Sequence, residues 1–188
     1  MSDDWRTGDP IPVAPRSSDS TPFRVTVVCL GNICRSPIGE AVIRDRVAAA
    51  GLDARVQVDS AGTGDWHLGH DADRRARQVL RDHGYALTHR ARQIVPSWLE
   101  SIDLLLAMDA TNYANLQAMG AGSTGGPMLR MLRSFDPSLR DLPEGAPGLE
   151  VPDPYYSDSD GFTQVLRMIE VASDGLVVEL PRLMARGK

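Results

Sequence analysis

Phe23-Arg-Val-Thr-Val-Val-Cys29-Leu30-Gly31-Asn32-Ile33-Cys34-Arg35-Ser36-Pro37 carries the turn that decides the fold. Phe23 to Leu30 is apolar and β-branched, as expected of a parallel strand buried on both faces. Gly31 and Asn32 break it. Ser36-Pro37 then opens a helix, with proline in the first turn and serine near the N-cap. That helix runs from Ile38 to about Ala50, with Ala41, Val42 and Val47 at helical spacing, and stops at Gly51.

The same alternation continues downstream. Arg55 to Asp59 reads as a second strand, Ser60 to Gly69 as a glycine-marked loop, and Asp71 to His83 as a polar helix capped by Gly84. Ile102 to Met108 is a buried strand, Asp109 to Met119 a helix, and Met128 to Leu132 a short strand. Residues 134 to 154 hold many Pro, Gly and Asp and form a long loop; Ser159 or Asp160 then caps a last helix reaching about Arg186. Strands alternating with helices predict one α/β domain over residues 23 to 188: a mainly parallel four-stranded sheet with helices on both faces. Ligands bind such sheets beyond the carboxyl ends of the strands, where residues 29 to 36 fall.

Composition narrows the function. A net charge of −5 argues against a nucleic-acid partner. No apolar run approaches the roughly 20 residues that span a bilayer, and no apolar segment follows the polar, acidic start, so a cytoplasmic location and no membrane association are expected. Residues 1 to 22, rich in Pro, Ser, Asp and Thr, read as a disordered or loosely attached extension. Arg74-Arg75-Ala-Arg77 can build a local basic rim that the net charge conceals. The two cysteines, Cys29 and Cys34, make a poor disulfide framework; a reducing compartment and a chemical role fit them better.

The loop itself suggests that role. The first N–H groups of a helix lack internal partners and, with the helix dipole, attract anions. Successive loop amides can curl into a nest around a tetrahedral oxyanion, and Gly31 and Asn32 tolerate the left-handed backbone this needs. Arg35 adds a planar fork for two phosphate oxygens. A cysteine at the mouth of such a cradle is expected to have a pKa of about 3.5–7.5 rather than about 8.5. Cys29 would then be a thiolate at neutral pH, with Ser36 as a hydrogen-bond donor to it. A thiolate beneath a phosphate points to nucleophilic phosphoryl transfer.

Cys29-Leu-Gly-Asn-Ile-Cys-Arg-Ser-Pro37 resembles the signature of the low-molecular-weight protein tyrosine phosphatases. Asp59-Ser-Ala-Gly-Thr-Gly-Asp-Trp66, Thr88-His-Arg-Ala-Arg92, Met108-Asp109 and Asp153-Pro-Tyr-Tyr156 match further motifs of that family in order, so the resemblance covers about residues 24 to 185. It implies hydrolysis of phosphotyrosine in proteins through a phosphocysteine, with Cys29 as nucleophile, Arg35 as phosphate ligand and Asp153 as general acid and then base. It also implies that Leu30, Gly31, Asn32, Ile33, Cys34 and Ser36 wrap the phosphate. Trp66, Tyr155 and Tyr156 line the cleft, and Asn32, Ser60 and His89 hold the loop in shape. Cys34 traps oxidised Cys29 as a reversible disulfide. No metal and no organic cofactor is implied; phosphate and vanadate are expected inhibitors. Tyr155 and Tyr156 are candidates for regulatory phosphorylation.

Taken alone, Asp153-Pro154 is also an ordinary turn, and each aromatic an ordinary half-buried side chain. His67 and His70 match no catalytic position and read as solvated loop residues. Gly39 stands where Ala is usual, which loosens the first helical turn, and Gly161 where an acidic residue is usual. Arsenate reductases most like this family need further cysteines downstream; none follows Cys34. Arginine phosphatases of the family carry Thr in place of Ile33 and lack the paired tyrosines. A phosphotyrosine-binding module would be expected to have lost Cys29, Arg35 or Asp153. A zinc site from Cys29, Cys34, His67 and His70 has unusual cysteine spacing, with Arg35 repelling the ion.

Overall fold

The computed structural model describes residues 21–186, so the extension expected before residue 23 lies almost wholly outside the described residues. Strand β1 (Phe23–Cys29) is buried along its whole length, as its apolar sequence requires. It is followed by helix α1 (Arg35–Ala49), β2 (Val56–Gly62), α2 (Arg74–Asp82), β3 (Leu104–Ala107), α3 (Ala110–Ala118), β4 (Met128–Met131) and α4 (Ser159–Arg186). The sheet order is β2-β1-β3-β4 and every pairing is parallel.

Side chains alternate across β1 and divide the core into two layers. Val25 and Val27 face α1 and α4, packing with Ile38, Val42, Phe162, Leu166 and Ile169. Val28 shares the opposite layer with Leu105, Leu129, Leu116 of α3 and Trp98 of a short 3₁₀ turn. Connections leave β1 toward one edge and β3 toward the other. The crevice between the carboxyl ends of β1 and β3 is therefore the switch point where such sheets bind ligands.

Several boundaries differ from expectation, each for a local reason. Strand β2 runs three residues past Asp59, because pairing with β1 holds through Cys29 opposite Gly62. A Cβ on Gly62 would lie 2.7 Å from the Leu30 carbonyl oxygen, so that glycine marks a close approach rather than a loop. Helix α1 begins at Arg35 with Cys34 as N-cap and no side-chain cap bond, placing Ser36 inside the first turn. Helix α2 begins at Arg74 because Asp73 caps it, accepting from Arg75 N–H. Gly39 does not simply loosen α1: a Cβ there would lie 2.9 Å from Val27 Cγ1 and 2.8 Å from Met108 Cε, so its absence lets the helix sit close on the sheet.

Candidate active site

The loop after β1 is fastened by its carbonyls. Thr63 N–H donates to Cys29 O (2.9 Å) and Gly64 N–H to Leu30 O (2.9 Å), extending the β1–β2 pairing along the loop. Asp73 N–H donates to Ile33 O (2.7 Å), and His89 Nε2 donates to Asn32 O (2.7 Å). In a trans peptide the N–H points opposite to its C=O. With these four carbonyls turned onto surrounding elements, the N–H groups of Leu30, Gly31, Ile33 and Cys34 face the other way, forming a nest.

Asn32 is the pivot of that curl. It has φ of +53°, the single positive value at a non-glycine among the described residues, and it is fully buried. Its Nδ2 donates to Ser36 Oγ and Ser60 Oγ (2.9 Å each), and its Oδ1 accepts from Arg92 N–H (2.8 Å). Asn32, Ser60 and His89, expected to support the loop, are thus joined in one network.

That network ends on Glu40, to which sequence reasoning gives no role. Ser60 Oγ donates to Glu40 Oε2 (2.6 Å), and His89 Nδ1 lies 3.8 Å from the same oxygen. Burial pushes the Glu40 carboxyl up, but His89, Ser60 and Arg44 outweigh it and hold it below the usual carboxylate range. A signal existed: Glu40 follows Ser36 by one helical turn on the face of α1 that meets the sheet.

Cys29 is buried, and its Sγ lies 3.0 Å from Ser36 Oγ. Asn32 already donates to Ser36 Oγ, so the Ser36 hydroxyl hydrogen is left for Cys29 Sγ or Ala61 O (3.3 Å). Arg35 is 3 % exposed. Its Nη1 donates to Asp109 Oδ2 (2.6 Å) and Val151 O (3.2 Å), its Nη2 to Asp153 Oδ2 (2.9 Å), and its buried Nε has no protein partner. Burial disfavours the guanidinium charge, yet Cys29, Asp153 and Asp109 together push its pKa up. Asp109, matched in sequence without a role, serves twice, since its Oδ1 also caps α3 through Asn112 N–H (2.7 Å).

Asp153 stands opposite the thiol with its side chain 45 % exposed, its Oδ1 accepting from Tyr155 N–H (3.1 Å). A cleft of about 400 Å³ opens between the two loops. Leu30, Gly31, Ile33 and Cys34 line it with Trp66, Tyr155 and Tyr156, whose two tyrosine rings meet edge-on at 5.0 Å. Asn32 and Ser36 lie behind the wall rather than on it. His67 also lines the cleft, packed against Gly31, which corrects its reading as a solvated loop residue; β2 carries it there by continuing past Asp59. Burial, then Asp73, pushes the Cys34 thiol up, so at neutral pH it is protonated. Among the described residues no three His, Cys, Asp or Glu side chains are grouped to hold a metal ion, and no helix is long and apolar enough to cross a membrane.

A buried thiol, a clamped guanidinium and a facing carboxylate around an amide nest are the working parts of a cysteine-dependent phosphatase. Comparison with known proteins agrees. The model of the low molecular weight phosphotyrosine protein phosphatase family matches residues 24–185. A low molecular weight protein-tyrosine-phosphatase of Streptomyces coelicolor is 48 % identical over 155 residues, covering 82 % of this chain and 92 % of that protein. The crystal structure of YfkJ from Bacillus subtilis superposes with a TM-score of 0.74 at 33 % identity, covering 88 % of this chain and 98 % of that one. A Drosophila arginine phosphatase gives 0.72 at 28 %, covering 84 % and 97 %. The chain belongs to the low-molecular-weight phosphotyrosine protein phosphatase family and is a protein-tyrosine phosphatase of that family.

Proposed function

We propose that the protein hydrolyses phosphotyrosine in other proteins through a phosphocysteine on Cys29, without a metal or organic cofactor. The observation that carries this reading is the nest itself: four loop carbonyls turned outward around a buried thiol, beside an arginine that keeps one buried N–H unpartnered. Cys29 Sγ attacks phosphorus; the S–P bond forms as the bond to the tyrosyl oxygen breaks. Asp153 gives that oxygen its proton, since a phenol leaves far better than a phenolate. Asp153 then takes a proton from water, whose oxygen attacks phosphorus, and the thiolate departs with Ser36 as its hydrogen-bond donor.

Arg35 ties the steps together. A phosphate that takes Nε and Nη2 competes with Asp153 for Nη2, freeing the carboxyl to meet the leaving oxygen. Asp109 holds Nη1 meanwhile. The phosphate rests on the amides of residues 30 to 35, and Trp66, Tyr155 and Tyr156 flank the phenyl ring. The two free thiols suit a reducing, cytoplasmic setting.

The test is turnover of a phosphotyrosyl peptide beside phosphoseryl and phosphoarginyl substrates, with chelator present and Cys29→Ser as control. Phosphotyrosine alone should turn over, the variant should be inactive, and phosphate and vanadate should compete. Preference for phosphoarginine would keep the chemistry and reject the substrate. Turnover undiminished in Cys29→Ser would reject the mechanism.

A further inference from the structure

Arg75 takes part in none of these steps, yet the two halves of the site meet on it. Its neighbour Asp73 donates its backbone N–H to Ile33 O of the cysteine loop (2.7 Å). The Asp73 carboxylate accepts from Arg75 N–H (2.7 Å), Nε (3.1 Å) and Nη2 (3.0 Å). On its other side Arg75 donates from Nη1 to Ser157 O (2.8 Å) and from Nη2 to Tyr155 O (3.0 Å). The guanidinium lies 4.6 Å from the Phe162 ring centre, at the start of α4. A continuous run of hydrogen bonds therefore joins Ile33, Asp73 and Arg75 to two carbonyls of the loop that carries Asp153.

This is more than a surface arginine needs. Four of its five side-chain N–H donors reach a carboxylate or carbonyl, and the stacked ring fixes the plane of the fork. Although burial pushes Asp73 up, Arg75 holds its carboxyl below the usual range. Tyr155, whose carbonyl Arg75 grips, offers its own N–H to Asp153 Oδ1 (3.1 Å). Any displacement of Tyr155 is therefore passed directly to the carboxyl group.

We infer that Arg75 is a positioning residue for proton transfer, setting the height of Asp153 over the cysteine loop. The inference rests on the proposed role of Asp153, and leaving-group chemistry separates the two. An acid that protonates the leaving oxygen matters most when that oxygen is basic, as in tyrosine with a pKa of about 10. It matters least for an acidic phenol.

The experiment measures kcat/KM for aryl phosphates ranging from dinitrophenyl to phenyl, with wild type, Asp153→Asn, Arg75→Met, Arg75→Lys and the Arg75→Met/Asp153→Asn pair. Asp153→Asn should steepen the dependence on leaving-group basicity; no steepening rejects the acid itself. Arg75→Met should steepen it too, losing about 10- to 100-fold on phenyl phosphate, a part of the roughly 10²–10⁴-fold that general acid catalysis supplies, and much less on dinitrophenyl phosphate. Arg75→Lys, which keeps the charge but not the fork, should fall between and carries the test if the Met variant does not fold. With Asp153 already Asn, losing Arg75 should change kcat/KM little. A uniform loss across the series, or losses that multiply in the double variant, overturns the inference.

Discussion

Asn32→Ala is the perturbation whose cost the structure specifies most fully. The side chain is fully buried and makes three hydrogen bonds, to Ser36, Ser60 and the Arg92 backbone. Each is worth about 1 kcal/mol net, and a buried N–H left orphaned, as that of Arg92 would be, costs about 1–3 kcal/mol. Alanine also tolerates the φ of +53° less well than asparagine, by roughly 1 kcal/mol. With the Arg92 bond counted once, as the orphaned N–H, the total is about 4–6 kcal/mol, or about 8–24 °C in melting temperature at this chain length. Asn32→Gly removes the same bonds but accepts the backbone angle, so it should melt slightly above the Ala variant, despite the extra freedom glycine gives the unfolded chain. Thermal unfolding followed by circular dichroism, with kcat/KM on a phosphotyrosyl peptide, checks both halves. A loss under about 1 kcal/mol would mean that the network does not hold the loop. A large loss of stability with undiminished turnover would mean that it holds the fold and not the nest.

Gly62→Ala should lower kcat/KM and cost about 1–3 kcal/mol by overpacking, because the new methyl meets the Leu30 carbonyl at 2.7 Å and the Asn32 nitrogen at 3.1 Å; unchanged kinetics would show that the loop can yield. Glu40 has a lowered pKa when folded, so its contribution is full above its unfolded value of about 4.3 and is lost as pH falls through the folded one. Chemical denaturation of Glu40→Gln should accordingly show a shallower acid limb than wild type below about pH 4.3, and parallel limbs would refute this. Because the Cys34 thiol is pushed up, its attack on oxidised Cys29 should quicken with pH. After a peroxide pulse, thiol-recoverable activity should be greater at alkaline than at neutral pH in wild type but not in Cys34→Ser, and equal recovery in the two proteins would remove the trap.

The parts legible in the sequence are those that local chemistry determines. An apolar strand, two residues that accept left-handed backbone, and a Ser-Pro helix start suffice to locate β1, the cysteine loop and α1. What was illegible depends on contacts distant in sequence. Arg35 reaches Asp109 across 74 positions and Asp153 across 118, and nothing near either acid announces the bond. The extension of β2 was hidden because Gly62 reads as a loop signal, whereas only register against β1 shows it to be a residue without room for a Cβ. The packing role of Gly39 is hidden in the same way, since Val27 and Met108 occupy the space a side chain would need. His67 inherits its place in the cleft from that same hidden extension.

The two sides of the site are held by different kinds of bond. Cys29 sits at the end of an inner strand, and pairing with β2 continues past it through Thr63 and Gly64, so the proposed nucleophile and its nest belong to the sheet. The loop that carries Asp153 meets the sheet through a backbone bond, Val151 N–H to Met108 O (2.8 Å), two residues before Asp153. Beyond it, Asp153 is held from outside its own loop by the side chains of Arg35 and, through Tyr155, Arg75. In the mechanism we propose, a phosphate at the nest displaces the first of these holds. Arg75 is then the remaining one, so its geometry should matter most in the substrate complex, when the proton must move.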